Sequence, residues 1–473
     1  MAAFEQGLVI EFLAAPASHG PGMERVERID THGAVVFLAG ERAYKLKRAV
    51  RYPYMDFSTL ALRRAACEAE LRLNRRTAPA LYERVAAITR NERGLSFDGA
   101  GEAVDYVVVM RRFDQAMLFD RLAAAGRLTE YLMIELADAI AAFHRAAATR
   151  RDFGGAEAMG WVLDINRTGC LAGVPLLDGQ ACEALDAASR AALTASAALL
   201  DRRAADGRLR ECHGDLHLRN ICLFEGRPTL FDAVEFNERI SVIDTLYDFA
   251  FLIMDLEHRG LRSFANATFN RYLDASADYG GLAAWPLMLA SRAGVRAHTG
   301  AAAARAQVDT VKQAGATAEA NEYLALARRF LAPPPARLVA IGGLSGTGKS
   351  ALAHALAPSF GGAPGAAVLR SDVVRKRLAG VQPTERLPDS AYRREMSKAV
   401  YDRLLELAAT VVGGGHSAIV DAVFLDHGER SAIEDVARRA GVPFSGMWLE
   451  LPLEERARRG GTRSRDASDA TVE

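Results

Sequence analysis

Eight residues, Gly343-Leu344-Ser345-Gly346-Thr347-Gly348-Lys349-Ser350, constrain this chain more than any other feature. They fill the pattern G-x-x-x-x-G-K-[ST], with the apolar run RLVAIGG before them and KSALAHALA after. Glycines let such a loop curl until several backbone N–H groups and a helix N-terminus converge on one anion. The flanking strand and helix are the context that the pattern requires. The residues that follow alternate strand-like and helix-like segments: AAVLR, helices, SAIVDAVF, a helix, then GMWLELP. That alternation predicts a parallel sheet of four strands covered on both faces.

A chain of 473 residues exceeds one hydrophobic core. APPPAR, Ala332 to Arg337, stops the preceding helix because prolines lack the backbone donor. We therefore expect a domain over 1–331, a Pro-rich linker over 332–336, and a P-loop domain over 337–473. Half the residues are hydrophobic and 25% are charged, a globular composition that excludes a mainly disordered chain. Lys plus Arg and Asp plus Glu both number 59, so no net field favours nucleic acid or an anionic membrane. The apolar runs are far shorter than the ~20 residues that span a bilayer. Five scattered cysteines without CxxC spacing read as reduced and structural, and the expected compartment is the cytoplasm.

The first part of the chain carries a second motif. His213-Gly214-Asp215-Leu216-His217-Leu218-Arg219-Asn220 has the Asp-x-x-x-x-Asn spacing of a kinase catalytic loop, and Asp232 follows in the apolar frame TLFDAVEF. Phosphoryl transfer needs positioning and charge neutralisation more than covalent chemistry. Asp215 suits the proton of an acceptor hydroxyl; Asn220 and Asp232 suit Mg²⁺ on ATP phosphates. The strand AYKLKR offers Lys45 for the α/β-phosphates, with Lys47 on the same face as the fallback, and a following helix brings Glu68, or Glu70, to orient that lysine. His144 reads as a core-edge residue and Asp248 as a helix cap.

In the P-loop half, Gly343 to Ser350 would hold ATP, with Lys349 at the β/γ-phosphates and Ser350 on Mg²⁺. Arg370, Asp372 and Arg375 stand at the end of the second strand, where ligands bind in open α/β sheets. Asp372 fits a base for an acceptor hydroxyl, Arg375 a holder of an acidic acceptor group, and Asp421 a carboxylate steering the metal.

HGDLHLRN with LFDAVEFN resembles the aminoglycoside phosphotransferase and choline kinase group, relatives of protein kinases. The resemblance implies an α+β protein-kinase-like domain, with a small β-rich N-lobe and a helical C-lobe, ahead of the α/β P-loop domain. Gly214 stands where protein kinases have the Arg of HRD, and no G-x-G-x-x-G lies between Pro21 and Lys45. The second half resembles the small P-loop kinases that include polynucleotide kinase, chloramphenicol phosphotransferase, gluconate kinase and zeta toxins. That likeness implies Asp372 as base, a lid carrying Arg459, Arg463 or Arg465, and a last strand and helix beyond Glu473, so this domain reads as incomplete. The order of the halves is similar to bacterial bifunctional aminoglycoside phosphotransferase/ATP-binding proteins. The implied activity is transfer of the ATP γ-phosphate to a small-molecule hydroxyl, with a second ATP site behind it. The alternatives are an ATP-driven regulatory switch and a polynucleotide 5′-hydroxyl kinase.

Overall fold

The computed structural model describes the chain except Met1, Pro53, Asp152, residues 382–386, Pro388 and residues 462–473. Two compact units emerge, one from Met1–Phe153 with Gly207–Asp248, the other from Gly154–Asp206 with Phe249–Glu473. The division does not follow the Pro-rich segment.

In the first unit, α1 (Ala2–Ala14) precedes β1 (Val26–Asp30), β2 (Ala34–Ala39), β3 (Arg42–Lys47) and a small hairpin of β4 (Arg51–Tyr52) and β5 (Met55–Asp56). Then come α2 (Leu60–Asn74), β6 (Tyr82–Asn91), β7 (Gly94–Phe97), β8 (Glu102–Arg111), α3 (Phe119–Ala124) and α4 (Glu130–Ala146). The antiparallel sheet runs β1-β2-β3-β8-β6-β7. Strand alternation gives it two apolar faces. Val107 and Val109 join Leu46, Phe37, Val9 and Leu13 on the α1 side, while Val108 and Met110 join Ala43, Cys67 and Leu81 on the α2 side. Lys45 and Lys47, in phase with Ala43, therefore look toward α2.

The chain next inserts α5 (Gly155–Gly173) and α6 (Gly179–Ala205), which belong to the second unit. It returns through β9 (Leu209–Glu211), the loop 212–220, the hairpin β10 (Ile221–Phe224) and β11 (Arg227–Leu230), α7 (Glu238–Ser241), β12 (Val242–Asp244) and the start of α8 (Thr245–His258).

The second unit adds α9 (Arg262–Ser276), α10 (Trp285–Arg305) and α11 (Thr310–Phe330) to α5 and α6. A buried Arg203–Asp278 fork, at 2.6 and 2.8 Å, ties α6 to the turn after α9. Beyond the prolines come β13 (Leu338–Gly343), α12 (Lys349–Leu356), β14 (Ala367–Arg370), α13 (Ser371–Leu378), α14 (Arg394–Gly413), β15 (Ala418–Asp421), α15 (His427–Ala440), β16 (Phe444–Leu449) and α16 (Leu453–Gly461). The four strands are parallel in the order β14-β15-β13-β16, as the alternation predicts. Every residue of β13 is buried, which explains its unbroken apolar run. Among the described residues, no helix is long and apolar enough to cross a membrane.

Candidate functional site

In the first unit, Lys45 on β3 lies between two carboxylates far away in sequence. Its Nζ is 2.8 Å from Glu70 Oε1 on α2 and also bonds Asp232. Lys47 bridges the other oxygen of Glu70 to Glu235. Burial opposes the charge on Glu70, but the ammonium groups of Lys45 and Lys47 outweigh it and hold the carboxyl at about 2. Burial likewise opposes the Lys45 charge, and Asp232 with Glu70 raises that ammonium well above the usual lysine range. Glu235 goes the other way, pushed up by burial against the pull of Lys47.

This corrects the expected partner of Lys45. Glu68 is exposed and pairs with Arg64 one helical turn back, at 2.9 Å. Glu70 shares the inward face of α2 with Ala66, Cys67, Leu73 and Asn74. Two positions on a helix turn a side chain by about 200°, so only one of the two glutamates can look at the sheet.

Asp232 sits in the left-handed region at φ 63. Its N–H donates to Tyr82 Oη at 3.2 Å, and the next N–H, of Ala233, donates to Asn74 Oδ1 at 2.9 Å. These bonds fix a turn that leaves the Asp232 side chain 41% exposed while Glu70 beside it is fully buried.

The loop 213–220 is held from beneath. Asp248 does not cap a helix as the sequence suggests; it lies inside α8, where its carboxylate accepts from Gly214 N at 2.9 Å, His213 N at 3.1 Å and His144 Nε2 at 3.0 Å. His144 is thus a buried brace. His144, Cys212 and Asp248 cluster as metal ligands can, yet both Asp248 oxygens already serve N–H donors. Gly214, at φ 83, has Ile240 O only 3.0 Å from where a Cβ would stand, so an arginine in the HRD manner does not fit this turn.

Above the brace, Asn220 Nδ2 donates to the carbonyl and to Oδ2 of Asp215, both at 2.9 Å. His217 Nε2 is 3.3 Å from the same carboxylate. Asp215 keeps a 40% exposed side chain in a loop that, apart from Arg219, is otherwise buried. With its Nδ2 spent, Asn220 has its amide oxygen to offer, and Asp232 a carboxylate oxygen. This hard oxygen pair fits a Mg²⁺-type ion. No glycine-rich loop joins β1 to β2; residues 31–33 turn in three residues, with His32 stacked on Tyr52 at 4.2 Å between ring centroids.

In the second unit, Gly343, Gly346 and Gly348 take φ of 141, 86 and 94. At Gly346 a Cβ would come within 2.9 Å of the Arg456 carbonyl. Thr347 Oγ1 and Lys349 Nζ both donate to Leu344 O, at 2.8 and 3.0 Å, and Ser350 Oγ donates to Asp421 Oδ2 at 2.5 Å. The loop therefore brings its hydroxyl to the strand-end carboxylate. A cavity of about 430 Å³ opens beside it, lined by Leu344, Thr347, Trp448, Glu450 and Arg456 among others.

Asp372 lies in the first turn of α13. Arg375 differs from expectation. It is buried, donates to Ala391 O at 2.8 Å and Ser397 Oγ at 3.3 Å, and lies over the Tyr392 ring. The inward phase of α13, which also buries Val373 and Val374, turns it from solvent. Arg459 falls within α16, while Arg463 and Arg465 lie outside the described residues.

Sequence reasoning reads Asp248 only as a helix cap and places Glu70 second to Glu68. Both had a signal: Asp248 is an acid inside the apolar run YDFAFLIM, and Glu70 is in phase with Ala66 and Cys67. Tyr82 and Asn74 had none.

The family model of the phosphotransferase enzyme family matches residues 41–285, and that of an AAA domain matches 338–473. Uncharacterised proteins of Mycobacterium tuberculosis (strain H37Rv) and Mycobacterium bovis are each 30% identical over 457 residues, 94% of this chain and 87% of theirs. Among solved structures, a choline/ethanolamine kinase family protein from Mesorhizobium loti is 17% identical, with 69% of this chain and 99% of that one covered at a TM-score of 0.39. An ethanolamine kinase of Plasmodium vivax is 8% identical, with 64% and 82% covered at 0.40.

Proposed function

Because the chain belongs to the phosphotransferase enzyme family, with an AAA domain behind the matching segment, we propose that it moves the γ-phosphate of ATP to a hydroxyl of a small molecule, and that the P-loop forms a second ATP site. The observation that carries the first site is Lys45 Nζ between Glu70 and Asp232, joined across 25 and 187 positions of sequence. A lysine so oriented suits the α/β-phosphates.

Asp215 is the group for the acceptor. Asn220 restrains its Oδ2, and the exposed carboxylate takes the hydroxyl proton as the oxygen bonds to phosphorus and the bond to the ADP leaving oxygen breaks. Asn220 and Asp232 would hold Mg²⁺, which when bound neutralises phosphate charge. Asp248 and His144 keep the loop backbone in place for that geometry. In the second site, Gly343 to Lys349 would wrap the phosphates, Ser350 and Asp421 would hold the metal, and Asp372 is the candidate base.

The test is a screen of metabolite extracts with γ-labelled ATP, run on wild type, Asp215→Ala and Lys349→Ala. We expect a labelled product that Asp215→Ala reduces by ~10²–10⁴-fold, the range of an acid–base contribution. Undiminished transfer in both variants overturns the reading, and phosphate release without any labelled acceptor turns it toward an ATP-driven switch.

A further inference from the structure

Among the described residues β14 is an edge strand, hydrogen-bonded only to β15 within its sheet. Its free side is occupied by α9, a helix within the segment that matches the phosphotransferase family and not the P-loop segment. Asn270 Oδ1 accepts from Val368 N at 2.7 Å, and Asn270 Nδ2 lies 3.2 Å from Ala366 O. Asn266 Nδ2 donates to the same carbonyl at 3.1 Å. Both asparagines are buried. Four residues of helix rise about 6 Å and two of strand about 6.6 Å, so amides four apart can follow a strand edge. The next residue in that phase, Asp274, accepts from Arg377 Nη2 through its carbonyl at 2.5 Å.

α9 thus grips the chain on both sides of Arg370-Ser371-Asp372, at Ala366 and Val368 before it and at Arg377 after it. Arg370 reaches back to the P-loop. Its Nη2 is 3.4 Å from Ser350 Oγ, its Nε 3.8 Å from Asp421 Oδ2, and its side chain is 12% exposed. A guanidinium among the groups that would face phosphate is suited to bind an oxyanion through its fixed fork of donors. Burial raises the Asp274 carboxyl while the Arg370 charge lowers it, so the two residues also share a field.

We propose that Arg370 is a further phosphate-contacting residue of the P-loop site, and that Asn270 is its positioning residue, supplied by the helical layer. The proposal rests on the P-loop site binding ATP. An edge strand freed from its partner amide shifts, and Arg370 at its last position shifts with it. The segment matching the AAA domain is then not self-sufficient as a nucleotide site, because one wall of it is set by α9.

A double-mutant cycle on ATP affinity tests this, read by calorimetric titration of the full chain. Titration of Lys349→Ala first identifies the P-loop component of binding; if that variant loses none, the P-loop reading fails and the role of Asn270 is not what failed. On that component, Arg370→Gln is expected to weaken binding by at least tenfold and Asn270→Ala by about tenfold, within the usual range of site coupling. In the Arg370→Gln background, Asn270→Ala should change affinity by less than twofold. A change below twofold from Asn270→Ala alone, or the same loss in both backgrounds, overturns the proposal. Should Asn270→Ala fail to fold, Arg370→Lys carries the test. It keeps the charge without the fork, should weaken binding at least fivefold, and an unchanged affinity overturns the contact.

Discussion

Glu70→Gln is the sharpest single perturbation of the first site. It removes one negative charge from beneath two buried ammonium groups and keeps the side-chain volume. The Glu70 carboxyl is held at about 2 against an ordinary 4.5, a difference of about 3 kcal/mol at ~1.4 kcal/mol per pH unit. This agrees with the ~3–5 kcal/mol lost when one member of a buried ion pair is removed. The sign follows from a lowered folded value. The stabilisation is complete above pH 4.5 and is lost as pH falls toward 2. All three tryptophans, Trp161, Trp285 and Trp448, lie in the second unit, so their fluorescence does not report locally on this loss. Amide hydrogen exchange over residues 42–47 and 60–74 does. At pH 7 we expect Glu70→Gln to lower protection there by about 10²-fold, while Glu68→Gln, at an exposed pair worth ~0–1 kcal/mol, changes it less than fivefold. Loss below fivefold in Glu70→Gln, or equal loss in both variants, refutes the assignment of Glu70 as the partner of the lysines.

Asp248→Ala removes the carboxylate to which the His213 and Gly214 N–H groups and His144 Nε2 donate, at about 1–3 kcal/mol per lost acceptor; transfer by the first site should fall at least tenfold and the melting temperature should drop, and full activity would exclude the bracing role. Gly346→Val forces a side chain against the Arg456 backbone at positive φ, and should remove the Lys349-dependent component of ATP binding while leaving label transfer by the first site within twofold. Glu235 is held up by burial, so its charge on Lys47 is a net cost and Glu235→Gln should perturb exchange over residues 42–47 far less than Glu70→Gln; equal effects would show that the two carboxylates share the load.

The glycines that must turn with positive φ, the strand before them and the helix after them are local requirements, and sequence shows local requirements directly. The same holds for the spacing from Asp215 to Asn220 and for Lys45 and Lys47 sharing a face, which strand alternation guarantees. Four parallel strands followed from the periodicity of the second half for the same reason.

Which carboxylate meets the lysines is different in kind. Glu68 and Glu70 have the same chemistry and lie on the same helix; the phase in which α2 lies on the sheet chooses between them, and that phase is set by Ala66, Cys67, Leu73 and partners on other strands. Asp248 beneath the loop 213–220, Arg375 turned inward and Asn270 on the edge of β14 were likewise decided only when distant segments packed. A buried charge or a free strand edge must find a partner, and nothing in a linear sequence marks which of many donors and acceptors will be near enough to serve.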